Sequence, residues 1–216
     1  MKDNASEGLK PNLEMAERFL TLLDEEAEQF TFQLYHDYDK NKPGMKLTGS
    51  LKGYSRILTQ KNKQGYSICV TVNETDGKGR KKENIIRPRA IWRENDKPGL
   101  PELPDRPHIV TESSPDHFHE YFLVDGAPLD EWESVQQRLV DDYGSDPNAK
   151  DLPRVLRVPG FFHQKDPDNP FMVRIASTSG APPSPWEEIK RVFPPVERPS
   201  SRSPVTESSD DWNGVN

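Results

Sequence analysis

The sequence predicts an α+β fold, a largely antiparallel sheet with helices packed on it. Three observations carry that prediction. Tyr66, Ile68, Val70 and Val72 alternate with Ser67, Cys69 and Thr71, the period of a strand. Two apolar runs, 108–114 and 117–124, are parted by a short Ser-Ser-Pro-Asp turn and so form a hairpin. Leu13, Ala16, Leu20, Leu23 and Ala27 recur at helical spacing, as do Trp132, Val135 and Leu139 within 129–143.

In chain order, residues 1–11 form a loose leader, and Asn12 is placed to cap the first helix. Phe30, Phe32, Leu34 and Tyr35 predict a first strand, followed by an irregular loop through Pro43 and Gly44. Leu51, Tyr54 and Leu58 predict a second helix, ended by Gly65. The stretch 73–82, with Asp76-Gly77 and Gly79, predicts a loop. A strand follows at 89–96, then a Pro/Gly-rich connector over 98–107. Residues 146–159 are expected to be compact and partly helical despite Pro153. A last strand spans 171–175. Ser184-Pro185-Trp186-Glu187 has the pattern of a capping box with proline at the first helical position, and the helix it opens ends near Phe193. From Pro194 onward the chain is rich in proline, serine and acid, the composition of disorder. One domain over 12–195, with a tail over 196–216, is the expected organisation.

The 216 residues are only 32% hydrophobic and 30% charged, with 21 prolines, so part of the chain is expected to stay outside the core. No apolar run can span a bilayer and no signal-peptide pattern opens the chain, which makes a cytoplasmic protein the expectation. The single cysteine, Cys69, rules out a disulfide within the chain and sits in a strand like a small hydrophobe. The net charge of -7 argues against coating duplex DNA by bulk electrostatics. The charge is uneven, however. Lys78, Arg80, Lys81, Lys82, Arg87, Arg89 and Arg93 form one basic stretch, and Arg154, Arg157, His163, Lys165 and Arg174 another.

The chemistry centres on Glu94-Asn95-Asp96 at the end of the 89–96 strand. Residues two apart in a strand share a face, so two carboxylates would repel unless a cation lay between them. Such a pair suits Mg²⁺ or Mn²⁺; the alternative is the polar start of a turn running into Lys97-Pro98-Gly99. The hairpin strand puts His117, His119 and Tyr121 on one face, where a cationic or donating histidine beside the acids would suit a triphosphate. Further on, Asp151 precedes Arg154, Arg157, His163 and Lys165, with Gly160 among them. Arginine forks match phosphate geometry, and lysine adds a point charge; pairing of these arginines with Asp146 or Asp151 is the structural alternative. Taken together, these parts describe a two-metal nucleotidyl-transfer site.

The chain resembles the RepB-like primases of phages and plasmids, within the archaeo-eukaryotic primase superfamily. The likeness runs through residues 66–77 with Gly79-Arg80, then 89–96, then Ile109 to Pro115 with His119 and Tyr121, then Tyr143 to Pro147, and Arg154 to Lys165. It covers about residues 13–195, and the run from Arg154 through Pro159-Gly160-Phe161 to Lys165 is its most specific part. The resemblance implies an RRM-like sheet carrying the catalytic acids, with Mg²⁺ or Mn²⁺ and nucleoside triphosphates used to make a short primer on single-stranded DNA. It implies Glu94, Asp96 and Asp151 as metal ligands, with Asp146 the alternate to Asp151. Ser113 or Ser114 with His119 stands for the second superfamily motif. Glu94 stands where many members carry aspartate, and the serine–histidine spacing is longer than the compact pattern. Arg154, Arg157, His163 and Lys165 would join these in holding the nucleotide, and Arg80, Lys81, Lys82 and Arg87 the template phosphates. No P-loop occurs, so a replicative helicase is expected in trans or in a missing C-terminal part. Two other functions fit the same residues: a non-catalytic nucleic-acid or nucleotide binder, and a metal-dependent nuclease.

Overall fold

Asn12 opens the first helix, α1 (Leu13–Leu23), by accepting a hydrogen bond from the Met15 amide at 2.9 Å. Its apolar stripe, Ala16, Phe19, Leu20 and Leu23, is buried. The computed structural model describes residues 8–196. The expected leader over 1–7 and the tail over 197–216 lie outside them.

The first sheet is built from β1 (Phe30–His36), β2 (Met45–Gly49) and, after α2 (Leu51–Lys63), β3 (Tyr66–Thr71). Phe32, Leu34, Ile68 and Val70 are buried, and β1 lies antiparallel between β2 and β3. All six residues of β3 are buried, so this strand is covered on both faces. The expected loops hold short strands. β2 follows Gly44, while β4 (Glu74–Thr75) and β5 (Ile85–Arg87) pair across the 76–84 turn. Elements of two or three residues have too few positions to display a period.

The second sheet contains β6 (Ala90–Asn95), β7 (Ile109–Ser114) and β8 (His117–Asp125). β7 and β8 form the expected hairpin, and β6 pairs with β8 so that Glu94 stands directly opposite His119. The antiparallel surface is therefore divided between two sheets. Helix α3 (Leu129–Asp141) packs on β6. Trp132 Nε1 donates to the Ala90 carbonyl at 2.9 Å, and Trp92 Nε1 to the Ala149 carbonyl at 2.8 Å. The buried amide of Gln136 accepts from Trp92 N at 3.0 Å and donates to Trp92 O at 2.8 Å. A side chain thus serves as the next strand and leaves those backbone groups of β6 satisfied.

Residues 146–159 differ from the expected partial helix. A turn closed by the Arg154 amide on the Asp151 carbonyl leads into β9 (Val155–Arg157), which joins the first sheet by pairing Cys69 with Arg157 and Thr71 with Val155. Pro153 offers no N–H to a helix, and Val155-Leu156-Arg157 alternate as a strand should. Next come β10 (Phe162–His163) and β11 (Phe171–Met172), which pair with each other, and β12 (Arg174–Thr178), which pairs with β7 through a bulge. The single expected strand over 171–175 is thereby split. Ser184 is not a helix cap. Its backbone belongs to β13 (Ser184–Pro185), a parallel bridge to Val124 and Asp125, so the cap position of α4 (Trp186–Val192) falls to Pro185 without a side-chain bond. Pro194 to Val196 are docked on α3: Arg138 Nε donates to the Pro194 carbonyl at 2.8 Å and Val196 N to the Ser134 carbonyl at 3.0 Å. Order therefore extends past the expected start of disorder at Pro194. No helix among the described residues is long and apolar enough to cross a membrane.

Candidate active site

The two sheets face each other across a cleft with two adjoining cavities of about 390 and 590 Å³. Glu94, His119 and Arg157 line both. The first cavity is completed by Tyr35, Asp37, Ser67, Arg80, Asp151 and Arg154, the second by Asp96, Ser113, Ser114, His163, Lys165 and Phe171.

Glu94 occupies the last turn of the β6 ladder, half-buried, its amide donating to Ser145 Oγ at 3.1 Å. Burial pushes its carboxyl up to about 7, and Asp96 and Asp146 push the same way against Arg154 and Arg157. Asp96 lies just beyond the strand, exposed, on the rim of the second cavity. Glu94, Asp96 and Asp146 also share a third, smaller cavity. Asp146 is held there because Ser145 ties its turn to β6 and to the Leu139 carbonyl, while Asp146 Oδ1 accepts from Asn148 N at 2.8 Å.

The favoured third acid, Asp151, lines the first cavity with Glu94 but not those holding Asp96, and it is ion-paired to Arg154. The local-pairing alternative is what the structure adopts for that arginine. Among the described residues no three His, Cys, Asp or Glu side chains form a ready-made metal cage. A half-buried and an exposed carboxylate on one cleft still fit a hard cation, since Mg²⁺ keeps several waters and takes one or two protein carboxylates plus substrate phosphates.

His119 is buried and pushed down to about 3, by burial first and then by Arg157. It is neutral at physiological pH, which corrects the cationic option. Its Nδ1 has no hydrogen-bond partner among the described residues. Ser113 Oγ donates to the His117 carbonyl at 3.4 Å. A bulge between Glu112 and Ser114 interrupts the ladder where these serines meet the second cavity. Cys69 is buried, its thiol pushed up to about 11 by burial, consistent with a packing residue.

The first basic stretch divides. Arg80 faces the cleft, donating to the Pro153 carbonyl at 2.8 Å and to Tyr35 Oη at 3.0 Å. Lys81 is exposed beside Glu83, and Lys82 pairs with Glu133 of α3. Arg87 lies outside the cleft, bridging Asp24 at 2.5 Å and Glu74 at 2.6 Å. Arg89 and Arg93 are buried in ion pairs with Asp24 and Glu120. Of the four residues expected at the template phosphates, Arg87 is therefore corrected, because Asp24 and Glu74 hold it away from the cleft. Sequence reasoning also missed Tyr35, Asp37 and Ser67. They reach the cleft only through the pairing of β1 with β3 and of β3 with β9, which no local spacing announces.

Residues 100–195 match the family model of the RepB DNA-primase N-terminal domain. No curated protein sequence matches the chain. Among solved structures, the AEP domain of the cyanophage S-2L primase-polymerase is similar with a TM-score of 0.70 at 19% identity, over 85% of this chain and 99% of that one. The catalytic domain of primase RepB′, solved in complex with initiator DNA, is similar with a TM-score of 0.58 at 20% identity, over 80% of this chain and 87% of that one. At such identities the likeness is one of fold.

Proposed function

We propose that this chain is a RepB-like member of the archaeo-eukaryotic primases and makes short primers on single-stranded DNA by metal-assisted nucleotidyl transfer. One observation carries the proposal: Glu94 stands opposite His119, with Asp96 two residues on, at the mouth of a cleft holding Arg157, His163 and Lys165. Carboxylates on one side and the cationic Arg157 and Lys165 on the other are what a nucleoside triphosphate with its metal requires.

Glu94 and Asp96 are the ligands for Mg²⁺ or Mn²⁺, two ions in the full site. Asp146 is better placed than Asp151 as the third acid, because it shares a cavity with both. When bound, the ions supply Lewis acidity to the attacking 3′-hydroxyl and neutralise the leaving pyrophosphate. The chain's own residues do the rest. Arg154, Arg157 and Lys165 hold the triphosphate, with His163 bonded to Arg157 behind them and Ser113 and Ser114 on the cavity wall. His119, kept neutral by burial, offers a hydrogen bond rather than a charge. Arg80, Lys81 and Lys82 meet template phosphates; Arg87 does not. The initiator DNA bound by the similar RepB′ domain supports a DNA ligand here.

The test is incubation with single-stranded template, labelled nucleotides and Mg²⁺ or Mn²⁺. Extension is expected from the wild-type protein. The double variant Glu94→Ala, Asp96→Ala is expected to make no product while keeping its circular dichroism. Undiminished synthesis by that variant would remove the site assignment. Cleavage of DNA without nucleotides would make the protein a nuclease, and binding with neither reaction would make it an accessory binder.

A further inference from the structure

We infer that Asp37, acting through Ser67, positions Arg157 for the nucleotide triphosphate; this rests on the triphosphate role proposed above for Arg157. Asp37 follows β1 directly, and its amide donates to the Gly65 carbonyl at 2.9 Å, which fixes it beside the start of β3. Its carboxylate is only 6% exposed. A buried carboxylate is tolerated only when its oxygens are satisfied. Here Oδ1 accepts from Ser67 Oγ at 2.6 Å and Oδ2 from the Gln164 amide at 2.7 Å. Arg157 Nη2 stands 4.0 Å from Oδ1.

The proton count gives this network a direction. A serine hydroxyl has one proton, and Ser67 donates it to Asp37, so its lone pairs must meet the Arg157 Nε–H, 3.3 Å away. His163 closes the other side. Its Nδ1 lies 3.2 Å from the Ser113 carbonyl, an acceptor, so Nδ1 carries the proton. Its Nε2 then accepts from Arg157 Nη2 at 3.1 Å, which requires a neutral ring. Burial, followed by the charge of Arg157, holds His163 below its usual range, in accord with that tautomer. Arg157 is thus gripped at Nε and at Nη2. Its Nη1 makes no hydrogen bond among the described residues, and the side chain lines both cavities. A long side chain held in one rotamer has already lost the freedom that ligand binding would otherwise remove. Asp37 and Ser67 touch Arg157 rather than the cleft's proposed metal ligands, which makes them positioning residues.

The experiment is calorimetric binding of ATP and of dATP with Mg²⁺ and without template, together with steady-state kinetics. Ser67→Ala is expected to weaken binding about tenfold and to raise KM with kcat nearly unchanged. Ser67→Thr, which keeps the hydroxyl, is expected to restore most of the affinity. In an Arg157→Ala background, Ser67→Ala is expected to add nothing. Asp37→Asn should follow Ser67→Ala, with Ser67→Ala carrying the test if the buried substitution impairs folding. Additive losses in the Arg157→Ala background would overturn the inference alone, as would wild-type affinity in Ser67→Ala. Wild-type affinity in Arg157→Ala would overturn both the inference and the role of Arg157 on which it rests.

Discussion

Glu94 and His119 face each other across two strands and are driven in opposite directions by one cause, burial. Each therefore stays neutral beyond its usual pH range. The consequences for stability have opposite signs. The Glu94 carboxyl, raised to about 7, favours the fold below its unfolded value of 4.5 and loses that contribution as pH rises through 7. His119, lowered to about 3, favours the fold above its unfolded value of 6.5 and loses that contribution as pH falls toward 3. Between 4.5 and 6.5 the two slopes oppose each other, so the wild-type profile alone separates neither. Glu94→Gln separates them, because the histidine contribution is common to both proteins. In metal-free urea denaturation the variant is expected to gain about 2 kcal/mol on the wild type between pH 4 and pH 8, a figure reduced for the partial exposure of the carboxyl. A constant difference across that range would show that Glu94 is not held above its normal value. The same residues were legible in the sequence because each sits on a regular strand, where a face can be read from alternation. The basic run of Arg87, Arg89 and Arg93 misled because a run of charge reveals neither burial, as of Arg89 and Arg93, nor distant partners, as of Arg87. All three are spent on Asp24, Glu74 and Glu120, acids 13 to 65 positions away.

Elements long enough to show a period were read correctly: α1, α2, α3, β3 and the β7–β8 hairpin. The misreadings concern β2, β4, β5 and β9, which run two to five residues and exist because a neighbour offers a ladder. β9 is the costly one for function. It carries Arg157 to the cleft, and only its pairing with Cys69 reveals why Ser67 and Asp37 lie beside it. Just beyond β9 the Pro159-Gly160 turn fixes where the chain goes next. Gly160 has φ +90, its amide donates to the Val173 carbonyl at 2.8 Å, and its carbonyl accepts from Asn12 N at 2.7 Å. A Cβ there would lie 2.1 Å from the Asn12 carbonyl oxygen, a backbone atom with no room to move. Gly160→Ala is therefore expected to cost about 3 kcal/mol or more, adding left-handed strain to a backbone clash. Because the turn links Arg157 to His163, nucleotide affinity should fall with it. Urea midpoints and binding isotherms measure the two effects, and a variant equal to the wild type in both would show that α1 and this turn can separate freely.

At the scale of the whole molecule, the proposed function asks a protein of net charge -7 to hold a polyanion, and the distribution of its cations decides whether it can. Arg89, Arg93 and Arg87 are neutralised by acids, and the first two are buried. Of that stretch, Arg80 at the cleft and the exposed Lys78, Lys81 and Lys82 remain for a template, the last two paired to Glu83 and Glu133 at the surface. Exposed pairs of this kind are worth little and exchange readily for phosphate. Each cation so exchanged releases counterions from single-stranded DNA and adds about 0.7 to the slope of log affinity against log salt. Replacing Lys81 and Lys82 by alanine is expected to lower that slope by about 1 to 1.5 and to weaken binding evenly across template sequences. Arg87→Ala should leave the slope unchanged while lowering the urea midpoint, because it removes a bridge between Asp24 and Glu74. Fluorescence anisotropy with a labelled oligonucleotide from 50 to about 300 mM salt distinguishes the cases. If the slope drops for Arg87→Ala and holds for the lysine pair, DNA runs over the β4–β5 face, and the cleft-side path argued here is wrong.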